Sequence, residues 1–173
     1  NNKVEILAED IPDDYFVISP TEDYAILMHS TDGPKKEEGV FEIVHPDDRQ
    51  PGWRNRTSLA RYDFKTGLVQ QLTYSYHGVW LSDIAPDGKH LLFGVTSDSI
   101  TKRPTTRATY YDLDLATMTT RKLVDKDGFI GGALYAGGTD RVVFKAGTEA
   151  FDGIGNRVPE GRTPNTFDYH LYV

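Results

Sequence analysis

The chain is 173 residues long with a formal charge of −7, and 38 % of it is hydrophobic. That apolar share is too rich for a disordered segment, and a chain of this length buries roughly 70 % of its unfolded surface on folding. The acidic balance argues against a nucleic-acid partner, which wants lysine and arginine gathered on one face. No apolar run approaches the ~18 residues of a membrane helix, and the absence of cysteine removes disulfides and thiolate metal sites.

Asn1-Asn2-Lys3 carries neither an initiator Met nor a leader, so the chain reads as a piece of a longer protein of undetermined compartment. Val4-Glu5-Ile6-Leu7 alternates as a short strand, and an acidic loop follows at Glu9–Asp14. Tyr15–Ile18 then leads into Ser19-Pro20-Thr21-Glu22-Asp23 and the run Tyr24–Met28, a strand, a tight turn and a strand. From Asp32 to Thr57 the pattern breaks into charged, turn-rich sequence, which reads as an insert. Ser58–Asp63 and Leu68–Thr73 resume strand character around the Lys65-Thr66-Gly67 turn.

The cycle restarts at Gly78. Ile84-Ala85-Pro86-Asp87-Gly88-Lys89-His90 has Pro at the first corner of a β-turn and Asp-Gly where side-chain capping and positive φ cost least. Leu91-Leu92-Phe93 then fits a strand covered on both faces. An insert at Asp98–Arg107 separates it from Thr109–Asp114 and Thr119–Val124. A third round begins at Phe129, turns through Tyr135–Arg141, meets a Gly/Pro-rich insert at Phe151–Thr166 and reaches the strand Tyr169–Val173.

Leu7, Leu72 and Leu123 each end a strand and precede Ser19, Ala85 and Tyr135 by 12, 13 and 12 residues. Without its insert each round holds ~40 residues, the length of a four-stranded propeller blade. The expected fold is therefore all-β: a β-propeller fragment of four-stranded antiparallel blades, with two complete rounds and a partial blade at each end. Residues 1–7 supply the last strand of a preceding blade. Blades follow at 13–73 (insert 32–57) and 78–124 (insert 98–107), and a partial blade spans 129–173 (insert 151–166). The inserts share one place in the repeat and should leave the sheets on one face. A β-sandwich is the competing arrangement.

The sequence is poor in recognisable chemistry. No Gly-x-Ser-x-Gly elbow occurs. His29, His45, His77, His90 and His170 stand singly, without the spacing of a metal site. Gly131-Gly132, Gly137-Gly138 and Gly153-Ile154-Gly155 read as turns or bulges, because no Gly-Lys-Ser/Thr follows them. No catalytic, metal or cofactor residue is assigned. Asn55-Arg56-Thr57 matches the glycosylation triplet and marks an exposed loop. Tyr62-Asp63 and Tyr111-Asp112 precede turns, where aspartate caps backbone amides. The candidate substrate-binding cluster is Arg49, Trp53 and Arg54, where an arginine clamps a peptide carboxylate or carbonyl beside an indole. A loop pinned by one buried Trp is the plainer reading.

Ala85-Pro86-Asp87-Gly88-Lys89 resembles the blade turn of the prolyl oligopeptidase (S9) serine peptidases and of TolB-like proteins. Leu59-Ala60-Arg61-Tyr62-Asp63, with Thr66-Gly67 and Gln71-Leu72-Thr73, resembles their third and fourth strands. Glu149–Asn156 with Pro159-Glu160-Gly161 is similar to a loop of S9 peptidases of the Bacteroidetes, dipeptidyl-peptidase-IV-like type. The resemblance covers most of the chain; Thr21-Glu22-Asp23 and Gly137-Gly138-Thr139 depart from the standard turn. It implies a propeller that caps an α/β-hydrolase domain, filters peptide substrates and works outside the cytoplasm. The catalytic triad of such a peptidase would lie in the hydrolase domain, so no catalytic residue carries over. A TolB-like binding propeller is the alternative, and a sugar-active propeller enzyme a second one. Open blade edges also lead to an expectation of self-association.

Overall fold

The computed structural model describes residues 3–33, 55–163 and 167–173. Its strands form three antiparallel meanders, each strand pairing with its neighbour in sequence. The first sheet joins β1 (Tyr15–Ile18), β2 (Tyr24–Thr31), β3 (Arg56–Asp63) and β4 (Val69–Gln71). The second joins β5 (Val79–Ile84), β6 (His90–Asp98), β7 (Thr106–Asp114) and β8 (Thr119–Asp127). The third holds β9 (Ile130–Tyr135), β10 (Val142–Gly147) and β11 (Tyr169–Tyr172). Three such meanders in succession match a β-propeller fragment, with no closed sheet, and the described residues hold almost no helix.

The sheets stack face to face in chain order. Tyr24, Ile26 and Leu59 of the first share a buried core with Val79, Ile84, Leu91, Phe93 and Leu113 of the second. On the far side of the second sheet, Leu92 and Tyr110 meet Ala133, Tyr135 and Phe144 of the third. Strand alternation explains the run Leu91-Leu92-Phe93: its first and third side chains face one neighbour and its middle one faces the other. The central blade is covered on both faces, so Leu91, Leu92 and Phe93 are buried in succession. Trp80 lies against β6 at Gly94, where an added Cβ would stand 2.1 Å from the indole. Glycine there is a packing requirement.

Polar side chains stitch the junctions. Val79 donates its N–H to Thr57 Oγ1 at 2.8 Å, and the Tyr24 hydroxyl donates to the Gly88 carbonyl at 2.8 Å. Burial pushes the Tyr24 phenol up to about 12, against the pull of Arg61, whose guanidinium sits 4.4 Å over the ring. At the second junction a β-bulge between Leu81 and Asp83 turns Ser82 onto the third blade, where its hydroxyl donates to the Ala133 carbonyl at 2.6 Å. Asp83 accepts from the Tyr135 N–H at 2.8 Å.

The repeated turns superpose by hydrogen bonding. Ser19 donates to Tyr24, Ala85 to His90 and Ala136 to Arg141, each N–H to a carbonyl five residues on. The third copy therefore aligns at Ala136, one residue later than the spacing suggests. Within the turn, Gly88 (φ +68°) and Glu22 (φ +56°) occupy one left-handed position.

Aspartates close the β3–β4 and β7–β8 turns. Asp63 accepts from Thr66, and Asp114 accepts from the amides of Ala116 and Thr117. The second cap is thus Asp114, not Asp112, because β7 runs two residues beyond the Tyr-Asp pair. The Thr66 hydroxyl holds the Asp63 carboxyl below its ordinary value, and the Thr117 amide does the same for Asp114. Val4–Leu7, read as a strand, pairs with no described strand and lies exposed. The sequence assigns this segment to a preceding blade, and no other strand of such a blade lies among the described residues to pair with it.

Two outcomes follow. An L-residue in the left-handed region costs ~1–2 kcal/mol, and glycine's larger unfolded-state entropy offsets ~0.5–1 of that. Glu22→Gly should therefore raise stability by ~0.5 kcal/mol in urea denaturation, while Gly88→Ala lowers it, its Cβ meeting Thr21 Oγ1 at 2.6 Å. A destabilised Glu22→Gly variant contradicts the shared turn geometry. The lowered carboxyl values of Asp63 and Asp114 stabilise the fold above their unfolded value of ~3.9, and that contribution is lost as pH falls through the folded values. Urea midpoints between pH 5 and pH 3 should fall less in an Asp63→Asn/Asp114→Asn variant than in the parent chain.

Candidate functional site

The meander topology sends every β-to-β connection at positions 32–55, 99–105 and 148–168 out of the same end of the sheets. Arg49, Trp53 and Arg54, the cluster singled out for peptide binding, lie in the first of these connections, outside the described residues. Beside its exit is a groove of about 590 Å³ lined by Arg56, Ser58, Gln71, Thr73 and Tyr74–Tyr76. Tyr74 and Tyr76 are 86 % and 85 % exposed, and the Arg56 guanidinium stands 5.7 Å over the Tyr76 ring. The floor is fixed from within the blade. Thr73 Oγ1 accepts from the Leu59 N–H at 2.8 Å, and the Gln71 amide donates to the carbonyls of Leu59 and Thr73. Two aromatic faces, hydroxyls and a guanidinium suit a peptide or another polar chain with planar groups.

Asn55 and Thr57 of the glycosylation triplet are tied down. Asn55 Oδ1 accepts from the Gly33 N–H at 2.7 Å, and Thr57 receives Val79. The pair brackets the neck of the first connection. Sequence reasoning passed over Tyr74 and Tyr76, although two tyrosines on a short polar link between strands are a legible sign of exposed aromatic surface.

The third connection opens with an unusual turn. Phe151, Asp152 and Gly153 all have left-handed backbone (φ 53°, 57° and 74°). Asp127, at the end of β8, holds the turn: Oδ2 accepts from the Phe151 N–H at 2.9 Å and Oδ1 from the Phe129 N–H at 2.8 Å. The Phe151 ring packs between Phe144 and Tyr172, 5.4 and 5.0 Å between centroids. Strain of this kind persists only where surrounding contacts over-determine it.

At the opposite end of the sheets, three side chains meet on one carboxylate. Asp112 Oδ1 accepts the Tyr135 hydroxyl at 2.6 Å and faces His90 Nδ1 at 3.1 Å; Arg121 reaches Oδ2 at 3.4 Å. Burial, then the Asp112 bond, pushes the Tyr135 phenol far above its ordinary value. Through Tyr135 the cluster ties the second blade to the third. His29 Nδ1 likewise faces Asp14 at 3.1 Å. Among the described residues no group of three or more His, Cys, Asp or Glu side chains could hold a metal ion.

No protein-family model matches the chain, and no curated protein matches it in sequence. Among solved structures it is similar to TolB from Acinetobacter baumannii, with 15 % identity over 80 % of this chain and 28 % of that one, TM-score 0.49. Dipeptidyl peptidase 4 from Porphyromonas gingivalis shares 11 % identity over 80 % of this chain and 30 % of its own, TM-score 0.43. The tricorn protease shares 8 % over 80 % of this chain and 16 % of its own, TM-score 0.46. The chain thus spans under a third of each of these structures.

Tyr135→Phe removes a hydrogen bond to a buried carboxylate that links two blades, a loss of roughly 1.5–3 kcal/mol. Urea denaturation should show it; a loss below ~0.5 kcal/mol would mean that the Tyr135–Asp112 bond contributes nothing to joining the blades.

Proposed function

We propose that the chain is the non-catalytic propeller portion of an S9-type serine peptidase, holding and filtering peptides for an α/β-hydrolase domain. The reading is carried by the third connection. Its sequence, Glu149–Asn156 with Pro159–Gly161, is the part that resembles one peptidase group and not propellers at large. The structure gives that segment a strained turn locked by Asp127 on the end of the sheets where the other connections emerge. In this reading Arg49, Trp53 and Arg54 belong to the peptide-facing surface, and Tyr74 and Tyr76 extend it across the groove. An arginine engages the peptide's carbonyl or carboxylate while aromatic rings cover its side chains.

A TolB-like protein-binding propeller without a catalytic partner is the second reading. The Ala85–Lys89 turn and the Leu59–Asp63 strand favour it equally, since both motifs are common to the two groups. The coding sequence beyond the last blade separates the two, because only the peptidase needs a Gly-x-Ser-x-Gly elbow there.

Calorimetric titration of the chain with short proline-containing peptides should give weak binding that Trp53→Ala reduces at least tenfold, with no release of dye from a dipeptidyl chromogenic substrate. Serine-inhibitor-sensitive turnover by this chain, or peptide binding indifferent to Trp53, would overturn the reading.

A further inference from the structure

The first two sheets are built to one register. Ala60–Gln71, Arg61–Gln70 and Tyr62–Val69 of the first correspond to Tyr111–Lys122, Asp112–Arg121 and Leu113–Thr120 of the second. The links that follow are equal in length, one leading to β5 at Val79 and the other to β9 at Ile130. Their paths nonetheless differ. In the second sheet β8 continues along β7 until Asp127 stands opposite Ala108. There Lys126 donates its N–H to Thr109 Oγ1 at 3.1 Å, and its carbonyl accepts from Arg107 at 2.8 Å. In the first sheet β4 stops at Gln71, and residues 74–76 part from β3. The space between is the groove of about 590 Å³, with Arg56 and Ser58 on one side and Tyr74, Ser75 and Tyr76 on the other.

Two side chains stand where the paths part. Thr73 Oγ1 accepts the Leu59 N–H at 2.8 Å, and the Gln71 amide donates to the carbonyls of Leu59 and Thr73 at 3.2 and 2.9 Å. Side-chain groups thus satisfy the backbone that a longer fourth strand would otherwise have to reach. The counterparts in the second sheet are Val124 and Lys122, and neither does this. Valine has no hydrogen-bonding group and suits a continuing strand, while Lys122 reaches forward to Asp125 at 3.2 Å.

We propose that Gln71 and Thr73 are positioning residues of the peptide groove. They hold residues 74–76 away from β3, and an extended peptide enters the space that residues 125–127 fill in the second sheet. This role rests on the peptide reading of the chain and adds how its site is made. The bound peptide lies beside Thr57, the counterpart of Ala108, with Tyr74 and Tyr76 on its other flank. Its backbone substitutes for the strand that β4 does not complete, and the two rings cover its side chains.

Gln71→Lys/Thr73→Val gives the first link the residues of the second. Hydrogen exchange should show the amides of residues 74–76 protected at least tenfold over the parent chain. Calorimetric titration with short proline-containing peptides should give a dissociation constant raised at least tenfold. Thr73→Ser, which keeps the hydroxyl, should exchange and bind as the parent does. A second arm removes no hydrogen bond at Leu59. In the cysteine-free background, Ser58→Cys/Ser75→Cys, at the positions of Thr109 and Lys126, should tether the link to β3 on oxidation. The oxidised form should bind peptide at least tenfold more weakly than the same variant reduced. Peptide binding indifferent to the double substitution or to the tether, unchanged exchange in the double variant, or Thr73→Ser as weak as the double variant would each overturn the proposal and leave the peptide reading standing. A parent chain that binds none of these peptides would overturn that reading and the proposal with it.

Discussion

The constraint on which the rest of the molecule depends is the junction between consecutive sheets. A four-stranded meander has two faces and buries neither by itself; only stacking on a neighbour removes its apolar side chains from water. The second blade is complete in this respect, with Leu91, Leu92 and Phe93 all buried. Apolar contact alone would let twisted sheets slide on each other. The polar bonds prevent it, because each has its donor on one blade and its acceptor on the next. Tyr24 finds the Gly88 carbonyl, Ser82 the Ala133 carbonyl, and Tyr135 the Asp112 carboxylate. Since the partner is usually backbone, register is set without demanding a particular residue opposite.

That feature explains how the repeat tolerates sequence drift. At the start of the second strand, the first blade has Tyr24 and the second His90; on the next strand, two places from their direct partners Asp63 and Asp114, stand Arg61 and Asp112. One position is a cation over an aromatic face, the other a carboxylate beside an imidazole. Both bring a ring together with a charge at the same rim, and both are tied to the following blade, through Gly88 in one case and Tyr135 in the other. The physical role persists while the residues that perform it change.

The repeat was legible in the sequence because turns and alternation are local. Pro86-Asp87-Gly88 declares its turn, and the inserts declare themselves by breaking the alternation. What escaped was anything set by a neighbouring sheet. Asp112 looks like a turn cap beside Tyr111, yet β7 carries the strand to Asp114 and leaves Asp112 facing the third blade. The bulge at Ser82 is equally silent, being selected by the Ala133 carbonyl 51 residues away. Of the candidate site, the emergence of the inserts from one end follows from their place in the repeat. The Tyr74 and Tyr76 groove does not, because its shape depends on where β4 leaves the sheet.

The two ends of the stacked sheets are consequently under different demands. At the hairpin end short turns recur, and polar groups either close those turns, as Asp63 and Asp114 do, or join blades, as the crowded Asp112 carboxylate does. At the opposite end the connections are long, and side chains fix their necks: Asn55 on the Gly33 amide, Thr106 on Asp98, and Asp127 on Phe151. A neck fixed in this way lets the rest of a connection vary without disturbing the ladder beneath it. Exposed aromatics such as Tyr74 and Tyr76 can then collect there at little cost to the fold.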